Sequence, residues 1–526
     1  MFGSYTLLAA ASTTFFATLS SASKAYNKSA AYASGLQGDS PVQKYVAATD
    51  FTPVQLNYQI PLDDATAAKL SPGLLFFAPW GDSVTQTGPL IIKQDGTVVW
   101  SGKDYSTSSS FMVESYQGED HIILWTGEHE VGYGHGEWHV LNNAYEEVAT
   151  YTAVGLQNDT KCDFHDSHIY NGETATMTAY VTEQHDLTPY GGPKDGYILN
   201  AVVQEINIAT KEVVFEWHGL DHVDPSESYT KPTLTGYNSS APWDYFHLNA
   251  IDKDSNGDYL ISCRHCHSLL KVDKSSGDIV WRLNGKNSNF TMGKDASFSW
   301  QHDGRWRSDN TISLFDNAGT TIRQDRIASR GLLLSVDTDA MTVDLIQEFD
   351  PVNKVISRSQ GNNQLQPNGN FLVGYGAEPA FEEYDSEGNP LWAMQFAVIN
   401  SDVAACKWSS LSMTIPSLLI LITLSVRTYR FDWHATPSTP PSLAIVGESD
   451  SNRTAYAWWN GATDVATWAL FGSVEEDGTS SSLVNVTRDD FETAIAFDGW
   501  ADYGKYTVVA LDGEGKVLGT SDAVSA

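Results

Sequence analysis

Leu269–Trp281 reads LLKVDKSSGDIVW. A short apolar run, a turn headed by Asp273 and a second run closed by an aromatic residue spell a β-hairpin. The phrase recurs at Leu90–Trp100 (LIIKQDGTVVW), His139–Tyr151 (HVLNNAYEEVATY), Ala201–Trp217 (AVVQEINIATKEVVFEW), Leu332–Phe349 (LLLSVDTDAMTVDLIQEF) and Phe381–Trp392 (FEEYDSEGNPLW). Asp95, Asn143, Asn207, Asp273, Asp337 and Asp385 stand at the matching turn place. A second hairpin type lies between most copies: NGETATMTAY from Asn171, NGDYLISCR from Asn256, DNTISLF from Asp309 and NGNFLVGY from Asn368. Asn-Gly between apolar runs is a strong hairpin signal. Two hairpins per repeat make four strands. Six repeats, spaced 48 to 66 residues apart, predict an all-β fold built as a six-bladed β-propeller. A pair of sandwiches is the competing architecture, but it does not require an in-phase repeat.

Outward from the repeat, the propeller is expected over residues 26–436. Pro437–Pro441 reads as a linker. Alternating strands at Thr454–Phe471 and Tyr506–Ser521 predict a small fibronectin- or immunoglobulin-like β-sandwich over 437–526. Residues 1–25 read as a secretory signal peptide: Leu7–Ala22 is apolar and small, although Met1–Ser4 lacks a basic residue. Secretion is therefore the expected localisation. Sequons at Asn27, Asn158, Asn238, Asn289, Asn452 and Asn485 permit glycosylation, with little weight in so Ser/Thr-rich a chain.

One segment contradicts its surroundings. Residues 406–427 read CKWSSLSMTIPSLLILITLSVR. Their apolar core holds a proline and falls short of the ~20 residues a membrane span needs. It interrupts the ring just before TYRFDW, which reads as a closing strand. A retained intron is the expected origin, because Cys-Lys-Trp can be encoded with a donor-like GTAAGT string. A genuine hydrophobic insertion is the alternative. No membrane insertion is expected.

The chain has 526 residues, with 31 Lys+Arg against 65 Asp+Glu, a net charge of −34. That excludes a nucleic-acid partner, which needs a basic face, and disfavours docking on anionic lipid. The four cysteines do not make a disulfide scaffold. Read as one strand, Cys263 and Cys266 lie roughly 10 Å apart and are not expected to pair.

In a propeller the first strand of each blade starts at one mouth of the channel, and the second strand returns there. His165, His247 and His302 stand six to nine residues upstream of the turns at Asn171, Asn256 and Asp309. Three consecutive blades thus point a histidine at one mouth. Arg264, at the far end of a second strand, returns to it, and Arg358-Ser359-Gln360 holds the equivalent place in the next blade. A lone histidine is ordinarily a structural residue, but three at one phase beside an arginine form a candidate site. Three histidines also suffice for zinc, although no carboxylate base stands at the same phase. Arginine favours an oxyanion, because a guanidinium grips sulfate or phosphate with paired donors. A neutral imidazole can attack an electrophile, and a protonated one can donate to a leaving oxygen. No Walker-type glycine loop or Asp-rich magnesium set is evident, so neither a metal nor a nucleotide cofactor is expected. The long connections 218–245 and 282–299 should roof the mouth and bring Trp243, Tyr245, Phe246, Trp300 and Trp306 near it. These aromatics suit an aryl substrate or serve as blade packing.

With DFHDSH (Asp163–His168), WDYFHLNAID, SCRHCHSLLKVDKSSGDIVWRLNG, WQHDGRW and QLQPNGNFLVGYG, the chain resembles the arylsulfotransferase family, most closely its secreted fungal branch, over about Leu56–Trp433. The resemblance implies a six-bladed propeller that moves a sulfuryl group from an aryl sulfate ester to a phenol, through a sulfohistidine and without a nucleotide donor. By that resemblance His302 is similar to the nucleophile. His247 and Arg264 resemble the groups that bind sulfuryl oxygens and assist departure. His165 looks like the remaining histidine, with His168 as a rival. Trp243, Tyr245, Trp300 and Ser359 are the expected substrate contacts. The bacterial oligomerisation domain has no counterpart here. The alternative function is a non-catalytic propeller that binds an extracellular ligand.

Overall fold

The computed structural model describes residues 24–81, 83–108, 110–399, 427–449, 452–474 and 480–525. Most of the expected signal peptide and residues 406–426 of the hydrophobic segment lie outside them. The described chain is nearly all β, with only three four-residue α-helices: Ala30–Ala33, Asp64–Ala67 and Gly219–His222.

Before residue 442 the strands form sheets of four, eight, four, five and six strands, and within these six four-stranded antiparallel runs can be traced in chain order. The first joins Tyr429–Phe431 to Leu74–Phe77, Leu90–Ile92 and Val98–Ser101. The next five begin with Phe111–Tyr116, Cys162–Tyr170, Leu248–Lys253, His302–Ser308 and Asn362–Leu365. These first strands neighbour one another in chain order, and Tyr429–Phe431 meets both the last unit and Phe111–Tyr116, so the contacts close a cycle. At the closure, side-chain amides do the pairing. Asn362 exchanges hydrogen bonds with the backbone of Thr428, and Gln364 with that of Arg430.

The sequence phrase explains the packing. Its closing aromatics, Trp100, Tyr151, Trp217, Trp281, Phe349 and Trp392, are all buried. Its turn residues accept backbone N–H groups two to four residues on, as Asx turns do. Asp95, Asn207, Asp273, Asp337 and Asp385 behave so. In the second copy the acceptor is Asn142, not Asn143, because Asn142 Oδ1 reaches both Ala144 N and Glu146 N.

Residues 442–520 form two further antiparallel sheets. Ser442–Val446, Thr454–Trp458 and Glu492–Ile495 make one; Thr467–Ser473, Ser480–Thr487, Lys505–Leu511 and Val517–Thr520 make the other. Both contribute to one apolar core around Trp468, Trp500 and Tyr506. This region docks on the first unit. Asn460 bonds the N–H and carbonyl of Ser101, and Gly461 N reaches Val99 O, covering an edge strand that would otherwise be open. The Glu492 carboxylate accepts from Val46, Ala47 and Ala48 N.

Midway along the first strands lies a buried ion network. Asp166 binds Arg305 and Arg427, each at 2.7 Å, and Asp303 binds Arg305 at 2.9 Å. Carbonyls of Asn249 and Ile251 and the N–H groups of Ile251 and Asn363 satisfy the rest. Burial opposes the Asp166 charge, but Arg305 and Arg427 outweigh it and hold its carboxyl well below the usual range. Arg427, the last residue of the expected insertion, therefore belongs to this network.

Candidate functional site

At the starts of the same strands, one ring nitrogen from each of His165, His247 and His302 lies within 4.8 Å of the others. The His165 and His247 rings are 4.9 Å apart, and those of His247 and His302 6.4 Å. Each first strand carries a register irregularity at this end: between Cys162 and Ser167, between Leu248 and Ala250, and between His302 and Arg305. Bulges of this kind re-aim side chains. His247, Trp300, Asp303 and Gln360 all have φ between 53° and 64°, a conformation that surrounding contacts must hold.

The Cys263–Cys266 expectation was wrong: the two form a disulfide, with Cα atoms 5.2 Å apart. The strand Tyr259–Cys263 stops at Cys263, and Arg264–His267 is a turn instead of extended chain. His267 N donates to Arg264 O, and His267 has φ 52°, which folds the backbone back. The same turn presents Arg264 to the histidines.

Arg264 is buried, and its guanidinium donates to the carbonyls of Trp300 (3.2 Å) and Arg358 (2.9 Å) and contacts His265 Nε2. Among the described residues it has no carboxylate in salt-bridge contact. Burial lowers it to about 10, against the pull of Asp244 and Tyr180. It stays a cation at neutral pH. Every histidine Nδ1 is held. His165 Nδ1 meets the Asp163 carboxylate at 2.6 Å, and His247 Nδ1 meets that of Asp244 at 2.6 Å. His302 Nδ1 meets Asn317 Oδ1 at 2.7 Å, and its Nε2 accepts from Gln360 N at 3.1 Å. Burial first, then the Arg264 charge, pushes His302 well below its ordinary range. Burial, His165 and Arg264 do the same to His247. Burial raises the Asp244 carboxyl and lowers His265 to about 3. Three such nitrogens also match a metal's donor set, but the adjacent guanidinium and the Gln360 N–H that His302 Nε2 accepts disfavour a cation.

The structure brings His165, His247, His302 and Arg264 together. His168 is apart: it bonds Glu114 Oε1 at 2.6 Å beside the ion network. Burial and Arg305 oppose its charge, but Glu114 and Asp166 raise it to about 9. Trp300 lines the site, with the Arg264 guanidinium 5.6 Å from its ring centre and His267 edge-on to it. Trp243 and Tyr245 sit in the apolar core, at 2% and 0% exposure, and Trp243 Nε1 donates to Thr230. Ser359 is half-buried, and its carbonyl accepts from Ala377 N and Ser357 Oγ. Sequence reasoning missed Asp163, Asp244 and Asn317, while Gln360 was placed at this mouth within Arg358-Ser359-Gln360 without a role. The first two stand two and three residues before their histidines; Asn317 carries no local signal.

Residues 113–397, more than half of the chain, match the sequence profile described as Arylsulfotransferase (ASST). The chain belongs to the arylsulfotransferase family. Membership supports a sulfotransferase-like function in general and implies aryl sulfate or phenol substrates. No curated protein matches the chain. Among solved structures, a protein of unknown function from Bacteroides caccae is 12% identical with TM-score 0.37, covering 69% of this chain and 100% of its own. A catalytically inactive virginiamycin B lyase from Staphylococcus aureus with quinupristin is 10% identical with TM-score 0.30, covering 57% and 88%. Among the described residues no helix is long and apolar enough to cross a membrane.

Proposed function

We propose that this family member is a secreted aryl sulfotransferase of the fungal branch. Its six four-stranded units are the blades of a six-bladed propeller, and residues 437–526 are a β-sandwich docked on it. The observation that carries the functional reading is Arg264, a buried cation that among the described residues has no carboxylate in salt-bridge contact and whose charge acts on His302. A buried unpaired charge is costly, and an anion bound there relieves it.

His302 Nε2 attacks the sulfur of an aryl sulfate. An S–N bond forms, the S–O(aryl) bond breaks, and the phenolate leaves with the electron pair. Arg264 holds the sulfuryl oxygens, and the Gln360 N–H, released from Nε2, becomes a further donor to them. His247, backed by Asp244, protonates the leaving oxygen. In the empty site His247 is held neutral by burial; the charge of a bound sulfate favours its protonated form. In the second half His247 takes the acceptor phenol's proton, the new oxygen attacks sulfur, and the S–N electron pair returns to Nε2. Trp300 stacks on the aryl group, while Trp243 and Tyr245 support the wall from behind.

The test is 4-nitrophenyl sulfate with and without a phenol, followed by nitrophenolate release and by intact mass for a sulfuryl adduct on His302. Acceptor-dependent release with that adduct is expected. Silence from folded protein across several phenolic sulfates would leave the ligand-binding propeller as the better reading.

A further inference from the structure

The three site histidines are built alike except in what holds Nδ1. Two are backed by carboxylates, and His302 is backed by a carboxamide. The orientation of that carboxamide follows from its other contacts. Asn317 Nδ2 lies 2.9 Å from Ser357 O and 2.9 Å from Gln360 O. Carbonyl oxygens only accept, so the atom facing them is the NH₂, and the atom facing His302 is the oxygen. An amide oxygen also only accepts, so His302 Nδ1 carries the hydrogen. A second route gives the same tautomer: Gln360 N can only donate, and it meets Nε2. The Nε2 lone pair is therefore present, accepting from Gln360 N.

Resting on the reading of His302 as nucleophile, we propose that Asn317 is a positioning residue that holds His302 as the neutral Nδ1–H tautomer. A carboxylate in its place would favour imidazolium, which has no lone pair to attack with. Among the described residues no carboxylate compensates from elsewhere. The charged and titratable groups facing His302 are Arg264, His247 and His165. The Asp303 carboxylate is taken up by Arg305 and Asn363 N, and that of Asp316 by Arg330 and Ser299 N. The division of labour follows. Carboxylate-backed His247 and His165 are suited to carry protons, and carboxamide-backed His302 to stay a nucleophile. Asn317 is fully buried, and its own carbonyl accepts from Ser329 Oγ at 2.7 Å. Through Nδ2 it also fixes the segment whose Arg358 carbonyl holds Arg264.

The first test needs no variant and no turnover. In protein with nitrogen-15 histidine, the His302 signal is assigned by its loss in His302→Gln. It should show a protonated Nδ1 and a bare Nε2, and it should remain neutral where ordinary histidines titrate. An Nε2–H tautomer, or titration with the exposed histidines, would overturn the proposal. The second test compares Asn317→Asp with Asn317→Ala. Both lose the bonds to Ser357 and Gln360, but only Asp keeps an acceptor for Nδ1–H. Asn317→Ala should lose about 10²-fold or more in kcat/KM at every pH. Asn317→Asp should shift the acid limb of the pH profile upward by about 1–3 units and exceed Ala by at least about 10-fold at alkaline pH. Equal losses at all pH values would make Asn317 merely structural. If Asn317→Ala does not fold, the tautomer measurement on the native protein still decides. A bare Nε2 in a protein without aryl sulfate turnover would uphold the tautomer and remove only the sulfotransferase reading.

Discussion

The same strands carry two opposite designs at two depths. Where they begin, His165, His247 and His302 face Arg264, a buried cation with no carboxylate partner among the described residues. One residue further, Asp166 and Asp303 meet Arg305 and Arg427 in a network where every charge is paired. Both regions are buried, so burial does not separate them. The lower network holds strands together and leaves nothing to bind. Among the described residues the upper one leaves a positive charge without a carboxylate and a lone pair held only by the Gln360 N–H, which suits a site for an anion.

Removing the lone pair should break that contrast most severely. His302→Ala is expected to cut sulfuryl transfer by about 10⁴-fold or more while leaving the circular dichroism spectrum unchanged. Arg427→Met attacks the other side of the comparison. It strands part of the Asp166 charge and should cost about 3 kcal/mol or more in urea unfolding. Asp166 is held below its ordinary value, so its stabilisation is complete above the ordinary carboxylate range and is lost only as pH falls well beneath it. In Arg427→Met that loss should be smaller and complete at a higher pH. Arg264→Lys keeps the charge but not the fork that two carbonyls hold, and a loss of about 10²-fold in kcat/KM is expected.

Milder still is the pH response of the native protein. His247 and His302 are held below the ordinary histidine range, so the unfolded chain takes up protons that the folded one refuses. Their contribution to stability is full above about pH 6.5 and should decline as pH falls below it. Denaturant midpoints measured against pH should show that slope, and it should flatten in His302→Gln. The smallest effect is expected at Trp243, whose ring is core. Trp243→Phe should cost about 1–2 kcal/mol of stability and change kcat/KM only slightly; a large rise in KM would instead return Trp243 to the substrate.

The repeat was readable because packing imposes it. Each unit needs an aromatic at its outer end and an Asx turn before it, and both requirements are local in sequence. The one-residue error at Asn143 came from a turn whose two asparagines differ only in three-dimensional reach. The histidines were readable for a related reason, since equal phase in equal repeats leads to equal ends of neighbouring strands. The cysteine pair was misread because strand alternation was extended past Cys263, where the chain turns. Tyr245 and Trp243 illustrate a different limit: aromatic side chains look alike in sequence whether they pack behind a site or line it.

Local patterning thus suffices for the antiparallel β units and the residue types offered at one end of them. It does so because hairpins, turns and alternating burial are interactions between near neighbours. The chemical character of those residues is settled by partners far along the chain. Asn317 lies 15 residues beyond His302, Gln360 lies 58 beyond it, and Arg427 lies 261 beyond Asp166. Tautomer, charge pairing and desolvation depend on which groups share a low-dielectric space, and only the folded chain brings those groups together.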